Sequence, residues 1–154
     1  MRTMLLSLRT DVYKKVISGV KIYEHRKVFP DEPVKAYIYV SSLMKAICGI
    51  MYLSNKTSLL EWKEQYKDDK ECVARIEEYL PKHKVAMEIN KFENTNAIPL
   101  EQLKKDVEKF IVPQMYYFIE DSELLSYLEK NLVPDGTVVT HTYENITSEM
   151  ICKN

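Results

Sequence analysis

The sequence contains little of what marks a membrane, secreted or disordered protein. Its longest uninterrupted apolar run, residues 46–53, is far shorter than the roughly 20 residues that span a bilayer. No extended apolar segment follows the charged N-terminus, so we expect neither a membrane span nor a signal peptide. The three cysteines are odd in number and widely spaced, which is typical of free thiols in a reducing compartment. We therefore predict a cytoplasmic protein without a membrane partner.

The sequence also lacks the residue spacings of common metal and cofactor sites. His25, His83 and His141 lie far apart, and no Cys or carboxylate pattern beside them matches a zinc site. No glycine-rich phosphate loop and no nucleophile elbow is present. The prediction is a protein that carries neither a metal nor a cofactor.

Net charge is close to zero, but the charges are unevenly distributed. The 154 residues carry 22 Lys and Arg against 23 Asp and Glu, for a net charge of −1. Bulk attraction to DNA or to a membrane is therefore weak. Residues 1–56 nevertheless contain ten Lys and Arg against four Asp and Glu. This asymmetry is either chance variation among solvated faces or a basic surface that suits an anionic ligand.

The hydrophobic pattern predicts one α+β domain with about six strands and five helices. Apolar residues alternate over residues 34–40, which indicates a half-buried strand. Residues 46–53 are apolar on both faces and indicate a central strand, and residues 85–92 indicate another. Beyond residue 134 the sequence is mostly polar. A strand at 137–143 is predicted there, and the segment fits a late hairpin, a partner-binding arm or a loose tail.

Several helix ends have sequence signals of their own. Thr10 is placed to cap the first helix, and Gly19 is placed to end it, since glycine adopts a left-handed conformation without steric cost. Ser58 begins a capping box of the Ser-x-x-Glu type. Pro99 fits the first position of a further helix that extends to Phe110.

The most informative segment is residues 18–27, SGVKIYEHRK. On an extended strand Glu24 and Arg26 point to the same face, and Lys21 at the preceding turn can reach over the same opening. A carboxylate between two cations suits a site that binds phosphate or carbonyl oxygens, although the spacing equally fits an ordinary surface ion pair. If the side chains are placed for a ligand, alanine at Lys21 or Glu24 should leave stability nearly unchanged.

The segment resembles the signature of the ASCH domain family. The pattern Gly-x-Lys-x-x-Glu-x-Arg is matched at Gly19, Lys21, Glu24 and Arg26. Two further segments resemble the family in the same order along the chain. Residues 38–49 resemble its strand, serine-bearing turn and next strand, and residues 112–118 resemble a Pro-Gln-x-aromatic segment. The resemblance covers roughly residues 4–120.

Membership of this family implies a PUA-like β-barrel of about six strands with flanking helices, and a cleft linked to RNA. We assign residues 1–133 to the ASCH domain and residues 134–154 to a C-terminal tail or hairpin outside it. An aromatic ring can stack on a base and an amide can read its edge, although Tyr116 also fits core packing. The ligand-binding residues that the resemblance implies are Lys21, Glu24, Arg26, Ser41, Ser42, Lys45, Gln114 and Tyr116.

Three functions fit these features. The leading prediction is a module that binds RNA, a modified base or a nucleotide-like small molecule. The second is a small hydrolase acting on an N4-acylated cytidine or on RNA, with Lys21 and Glu24 as catalytic candidates and His25 as a candidate acid or base. One ASCH branch that is similar in motif hydrolyses acetylated cytidine with a threonine where Glu24 stands, and a carboxylate does not replace a hydroxyl nucleophile. The third is a metabolite-sensing regulatory interaction domain whose C-terminal tail contacts a protein partner.

Overall fold

The computed structural model describes residues 1–153, in which a curled sheet is flanked by five α-helices. The strands are β1 (Arg2–Leu8), β2 (Tyr23–Arg26), β3 (Val34–Val40), β4 (Ala46–Ser58), β5 (Val85–Pro99), β6 (Tyr116–Phe118) and β7 (Pro134–Thr140). The helices are α1 (Thr10–Ile17), α2 (Leu59–Gln65), α3 (Lys70–Tyr79), α4 (Leu100–Asp106) and α5 (Glu123–Asn131), with a single 3₁₀ turn at Ser148–Met150. The predicted α+β class is confirmed.

Six strands form a half-barrel in the order β2-β5-β4-β3-β1-β6. The pair β1–β3 is parallel, and the other strand pairs are antiparallel. β4 occupies one edge of β5 along most of its length. The opposite edge of β5 is divided, because residues 85–88 pair with β2 and residues 91–95 pair with β7. The predicted curled sheet of about six strands with flanking helices is therefore confirmed, with β7 added beside β2.

Hydrophobic packing occurs on both faces of the sheet because its middle strands are apolar on both sides. Along β1, Met4 and Leu6 pack in one cluster while Leu5 packs in another, as a two-residue period requires. The first cluster includes α1, and the second includes α4 and α5. A third cluster joins α2 and α3 to β2 and to the chain's last residues.

The helix ends agree with the sequence signals at Gly19 and Ser58 but not at the start of α1 or at the two ends of α4, where Pro99 is the N-cap and the helix ends at Asp106. Gly19 has φ +83° as predicted, and the Ser58 hydroxyl accepts a hydrogen bond from the Leu60 N–H at 3.2 Å. The prediction that Thr10 caps α1 is wrong, because Arg9 occupies the N-cap position. The Thr10 hydroxyl instead donates to the Ser41 carbonyl at 2.9 Å, which ties the start of α1 to the turn after β3.

The C-terminal residues pack against the sheet and α3. The strand predicted at 137–143 lies three residues earlier, at β7. Beyond it, Tyr143 and Ile146 pack against the third cluster, and Ile151 and Cys152 are buried within it. Across residues 1–153, none of the helices has the length and apolar character needed to cross a membrane.

Gly49 in β4 lies where a side chain does not fit. A Cβ atom at this position would lie 2.4 Å from Cζ of the buried Phe92. We expect Gly49→Ala to lower the free energy of unfolding by about 1–3 kcal/mol, because overpacking a close-packed core forces neighbours out of their rotamers. Urea denaturation measures this loss. The double variant Gly49→Ala/Phe92→Leu should lose less than the sum of the single changes, and strict additivity would contradict the steric explanation.

Candidate binding cleft

A polar cleft of about 480 Å³ lies beside β2. Four cationic residues, Arg9, Arg26, Lys27 and Lys82, line it together with Ser41 and Gln114. We call this the basic compartment. A second depression of about 350 Å³ adjoins it and is lined by Lys21, His25, Glu78, Tyr79 and His83. We call this the aromatic compartment. The two share Val12, Glu24, His25, Lys82 and His83, so they form one continuous site.

The local backbone explains why β2 presents its side chains to both compartments. Gly19 turns the chain out of α1, and the Lys21 N–H then donates to the Lys15 carbonyl at 3.0 Å. β2 follows in register with the start of β5. Because successive strand residues point to opposite faces, Glu24 and Arg26 share one face and His25 lies on the other.

The motif residues form a buried ion cluster. Glu24 Oε1 lies 3.8 Å from Lys21 Nζ, and Glu24 Oε2 lies 3.2 Å from Arg26 Nη2. Arg26 also donates to the Ser7 carbonyl at 2.9 Å. The Lys21 and Glu24 side chains are each 5% exposed. Since each is a buried partner in an ion pair, we expect alanine at either position to lower stability, in place of the unchanged stability expected of side chains placed for a ligand.

Burial also affects the protonation of Lys21. It lowers the pKa of Lys21, and the Glu24 carboxylate offsets part of that effect. Glu24 additionally accepts a hydrogen bond from the His25 N–H at 3.2 Å. The carboxylate is thus held by two cations and a backbone donor, which fixes its orientation at the junction of the two compartments.

His25 is a neutral, buried imidazole. Its ring lies 4.9 Å from Tyr79 and 6.1 Å from His83, centroid to centroid. Burial, together with Lys21 and His83, lowers the pKa of His25 to about 3. Neither ring nitrogen has a hydrogen-bond partner among residues 1–153. A neutral imidazole has one donor and one acceptor, and in His25 both of these nitrogens are buried beside the aromatic compartment.

Five of the eight sequence-predicted binding residues line this cleft. They are Lys21, Glu24, Arg26, Ser41 and Gln114. Ser41 is held in place because its N–H and its hydroxyl both donate to the Leu8 carbonyl, at 2.8 and 3.2 Å. Gln114 is exposed at the opposite wall.

The structure places the other three predicted residues elsewhere. Ser42 and Lys45 lie on an exposed turn with φ values of 65° and 47°, and Lys45 lines a separate depression beside α4. Tyr116 packs against Phe29 and Phe118, with ring centroids 5.4 and 5.9 Å apart, as its core alternative predicted. Sequence reasoning in turn missed Tyr79 and His83, which tertiary packing brings to β2 from the end of α3. Within residues 1–153, no group of His, Cys, Asp or Glu is arranged to hold a metal ion.

The comparison with solved structures identifies the fold. The ASCH protein of Zymomonas mobilis, ZmASCH, superposes with a TM-score of 0.62 over 86% of this chain and 97% of its own, at 19% identity. A serine-to-alanine mutant of that protein gives a TM-score of 0.63 over the same shares of both chains, also at 19% identity. A tyrosine-to-phenylalanine mutant gives 0.61 at 17% identity, over 86% of this chain and all of its own. This chain has the ASCH fold.

The resemblance inferred from the motif is thereby confirmed at the level of the fold. No family model matches the sequence, and no curated protein is similar to it.

The buried imidazole predicts a specific pH dependence of stability. The pKa of His25 falls from 6.5 to about 3 on folding, so between these values the unfolded chain binds a proton that the native state does not. This contribution to stability is present above pH 6.5 and is lost as the pH falls toward 3. His25→Phe should flatten the fall by about 1.4 kcal/mol per pH unit within that window. Urea titrations of both proteins from pH 7 to 4 measure it, and parallel curves would show a solvated His25.

Proposed function

We propose that this ASCH-fold protein binds single-stranded RNA or a nucleotide in the cleft around Lys21, Glu24 and Arg26. The proposal rests chiefly on one observation, the junction of a cation-lined compartment with an aromatic, hydrogen-bonding one at Glu24. In a nucleotide an anionic phosphate, which suits the cation-lined compartment, lies beside an aromatic base, which suits the other.

The basic compartment suits phosphate. Arg9, Lys27 and Lys82 are exposed at its rim, and the Arg26 guanidinium lies deeper. Arginine can hold two phosphate oxygens at once, and lysine acts as a point charge. Since the chain's net charge is −1, long-range attraction is weak and binding depends on these few local contacts.

The aromatic compartment suits a base. The rings of Tyr79 and His83 are available for stacking, which is sequence-tolerant because every base has a π-face. The Glu24 carboxylate, at the junction of the two compartments, supplies acceptor oxygens for a base edge. Bases held in a duplex cannot enter such a depression, so single strands are the expected ligands. The chain's three cysteines are free and buried, which fits a role in the reducing cytoplasm.

Fluorescence anisotropy with a labelled six-nucleotide RNA tests the proposal. We expect the logarithm of affinity to fall with the logarithm of salt concentration at a slope of roughly −2, the value for two or three phosphate contacts on a single strand. An RNA hairpin of the same composition should bind more weakly, and nucleoside monophosphates should compete with the single strand. Absence of binding by both RNA and nucleotides at low salt would remove the proposal and favour a metabolite-sensing domain.

One observation favours an amidohydrolase on N4-acylated cytidine as the second candidate. Lys21 is a desolvated amine with a lowered pKa, as catalytic lysines require. Its partner at 3.8 Å is a carboxylate, however, and not the hydroxyl that the hydrolase branch has at that position. We expect no turnover of N4-acetylcytidine when loss of the acetyl group is followed by chromatography. Turnover that disappears in Lys21→Ala would establish the hydrolase instead.

A further inference from the structure

The chain's last residues form a wall behind the ion cluster. Met150, Cys152 and Lys153 enclose a cavity of about 10 Å³ together with Lys21 and His25. A cavity of this volume is about the minimum that a single water needs. Lys21 and His25, which line the cleft and are nearly fully buried, thus face residues 150–153 on their other side.

This wall is attached to the rest of the fold by polar contacts at both ends. The Tyr143 hydroxyl lies 2.5 Å from the Ile22 carbonyl and 2.8 Å from the Ile89 carbonyl, so it connects the segment to the turn before β2 and to β5. Arg75 of α3 donates to the Ser148 carbonyl at 2.6 Å. The Ser148 hydroxyl donates in turn to Asp69 at 2.5 Å.

Apolar burial secures the segment between these contacts. Ile151 is 0% exposed and Cys152 is 2% exposed. Both pack in the third cluster with Trp62, Cys72 and Ile76 of α2 and α3. A segment with a buried apolar anchor and hydrogen bonds on both sides has a defined docked state, which distinguishes it from a fraying terminus.

We infer that residues 143–153, the C-terminal wall, are a positioning element of the cleft whose docking on α3 sets the affinity for ligand. The inference rests on the proposed function. With the wall docked, water is excluded behind Lys21 and His25, and charge interactions and hydrogen bonds are stronger in such a low-dielectric setting. With the wall displaced, water competes for the same groups. By linkage, a ligand that prefers the docked state must also stabilise the docking.

Cys152 is a natural reporter of docking, because a thiol reagent reaches it only when the wall opens. Arg75→Ala removes the donor to Ser148, and we expect the labelling of Cys152, located by peptide mass spectrometry, to become about tenfold faster. Arg75→Lys should restore most of the protection, since an ammonium can donate to the same carbonyl. Arg2→Ala is the matched control, because Arg2 pairs with Glu120 at 2.9 Å and lies outside the wall. Equal labelling of the Arg75→Ala and wild-type proteins would contradict the docking contact.

Ligand affinity tests whether docking matters to the cleft. Ile151→Asp places a charge at a fully buried position and should displace the wall, weakening binding of the labelled six-nucleotide RNA by at least about tenfold. Ile151→Thr is the milder variant if the aspartate prevents folding, and circular dichroism checks both. Saturating RNA should in turn slow the labelling of Cys152 in the wild-type protein. Fast Cys152 labelling with unchanged RNA affinity would overturn the inference.

The same variants separate this inference from the proposed function. If the wild-type protein binds neither RNA nor nucleotides, the proposed function fails, and labelling of lysine amines with acetic anhydride then tests the wall alone. Faster acetylation of Lys21 in Ile151→Asp than in the wild-type protein would support a wall that excludes water. Equal acetylation of Lys21 in the two proteins would overturn it.

Discussion

Replacing Glu24 with alanine is expected to lower the free energy of unfolding by about 3 kcal/mol, because removing one partner leaves buried charges uncompensated. Glu24 is the shared ion-pair partner of Lys21 and Arg26, and its side chain is only 5% exposed. The variant therefore leaves an ammonium and a guanidinium facing each other without a carboxylate. Urea denaturation at neutral pH measures the loss as a lower midpoint with an unchanged slope.

The chain contains a matched control for this prediction. Glu64 pairs with Lys67 at 3.2 Å, and both side chains are well exposed. Both pairs span three positions, so Glu64→Ala should cost under about 1 kcal/mol while Glu24→Ala costs several times more. The double variant Lys21→Met/Glu24→Leu, which replaces the pair with apolar side chains, should recover much of the loss. Similar losses in Glu24→Ala and Glu64→Ala would show that the cluster is solvated.

Charge reversal at the rim is expected to have the largest effect on RNA binding. Lys27 and Lys82 are exposed and line the basic compartment, so Lys27→Glu/Lys82→Glu should leave the fold intact. We expect affinity for the labelled six-nucleotide RNA to fall at least about tenfold and the salt slope to become shallower by roughly 0.7 for each lost contact. Anisotropy titrations at several salt concentrations measure both quantities.

A second double variant changes the net charge by the same amount at a surface outside the cleft and serves as the control. Lys104 and Lys105 are exposed at the end of α4, away from the cleft. The Lys104→Glu/Lys105→Glu protein should bind RNA with nearly wild-type affinity and slope. Equal losses in the two double variants would mean that binding follows overall charge and not the cleft.

The sequence predicted the fold best where the determinants are local. The bounds of β3 agree with the apolar alternation at 34–40, and Ser58 caps α2 as its capping box predicted. β5 is longer than the predicted 85–92, because its polar second half is stabilised by pairing with β4 and β7, which no local pattern contains. The helix predicted to reach Phe110 ends at Asp106, where Val107 turns extended and packs in the core.

The sequence predicted which charged residues form the site, but it did not predict how deeply they are buried. The motif spacing places Glu24 and Arg26 on one face of β2, as the structure shows. The burial of Lys21 and Glu24 could not be predicted, because the end of α3 lies beside both and residues near Cys152, more than a hundred positions later, lie beside Lys21. Lys45 was misplaced for a different reason. Its turn uses left-handed backbone at non-glycine residues, so the direction of its side chain does not follow from the sequence.

β2 and β7 pair with the same edge of β5, so β5 sets the distance between these two strands. β2 pairs with residues 85–88 of β5, and β7 pairs with residues 91–95 of the same strand. Inserting or deleting one residue between these two points would move β7 by about 3.3 Å relative to β2, invert the faces of β5 on one side of the change and shift its register with β4 there. The length of this short stretch therefore fixes where β7 stands relative to β2.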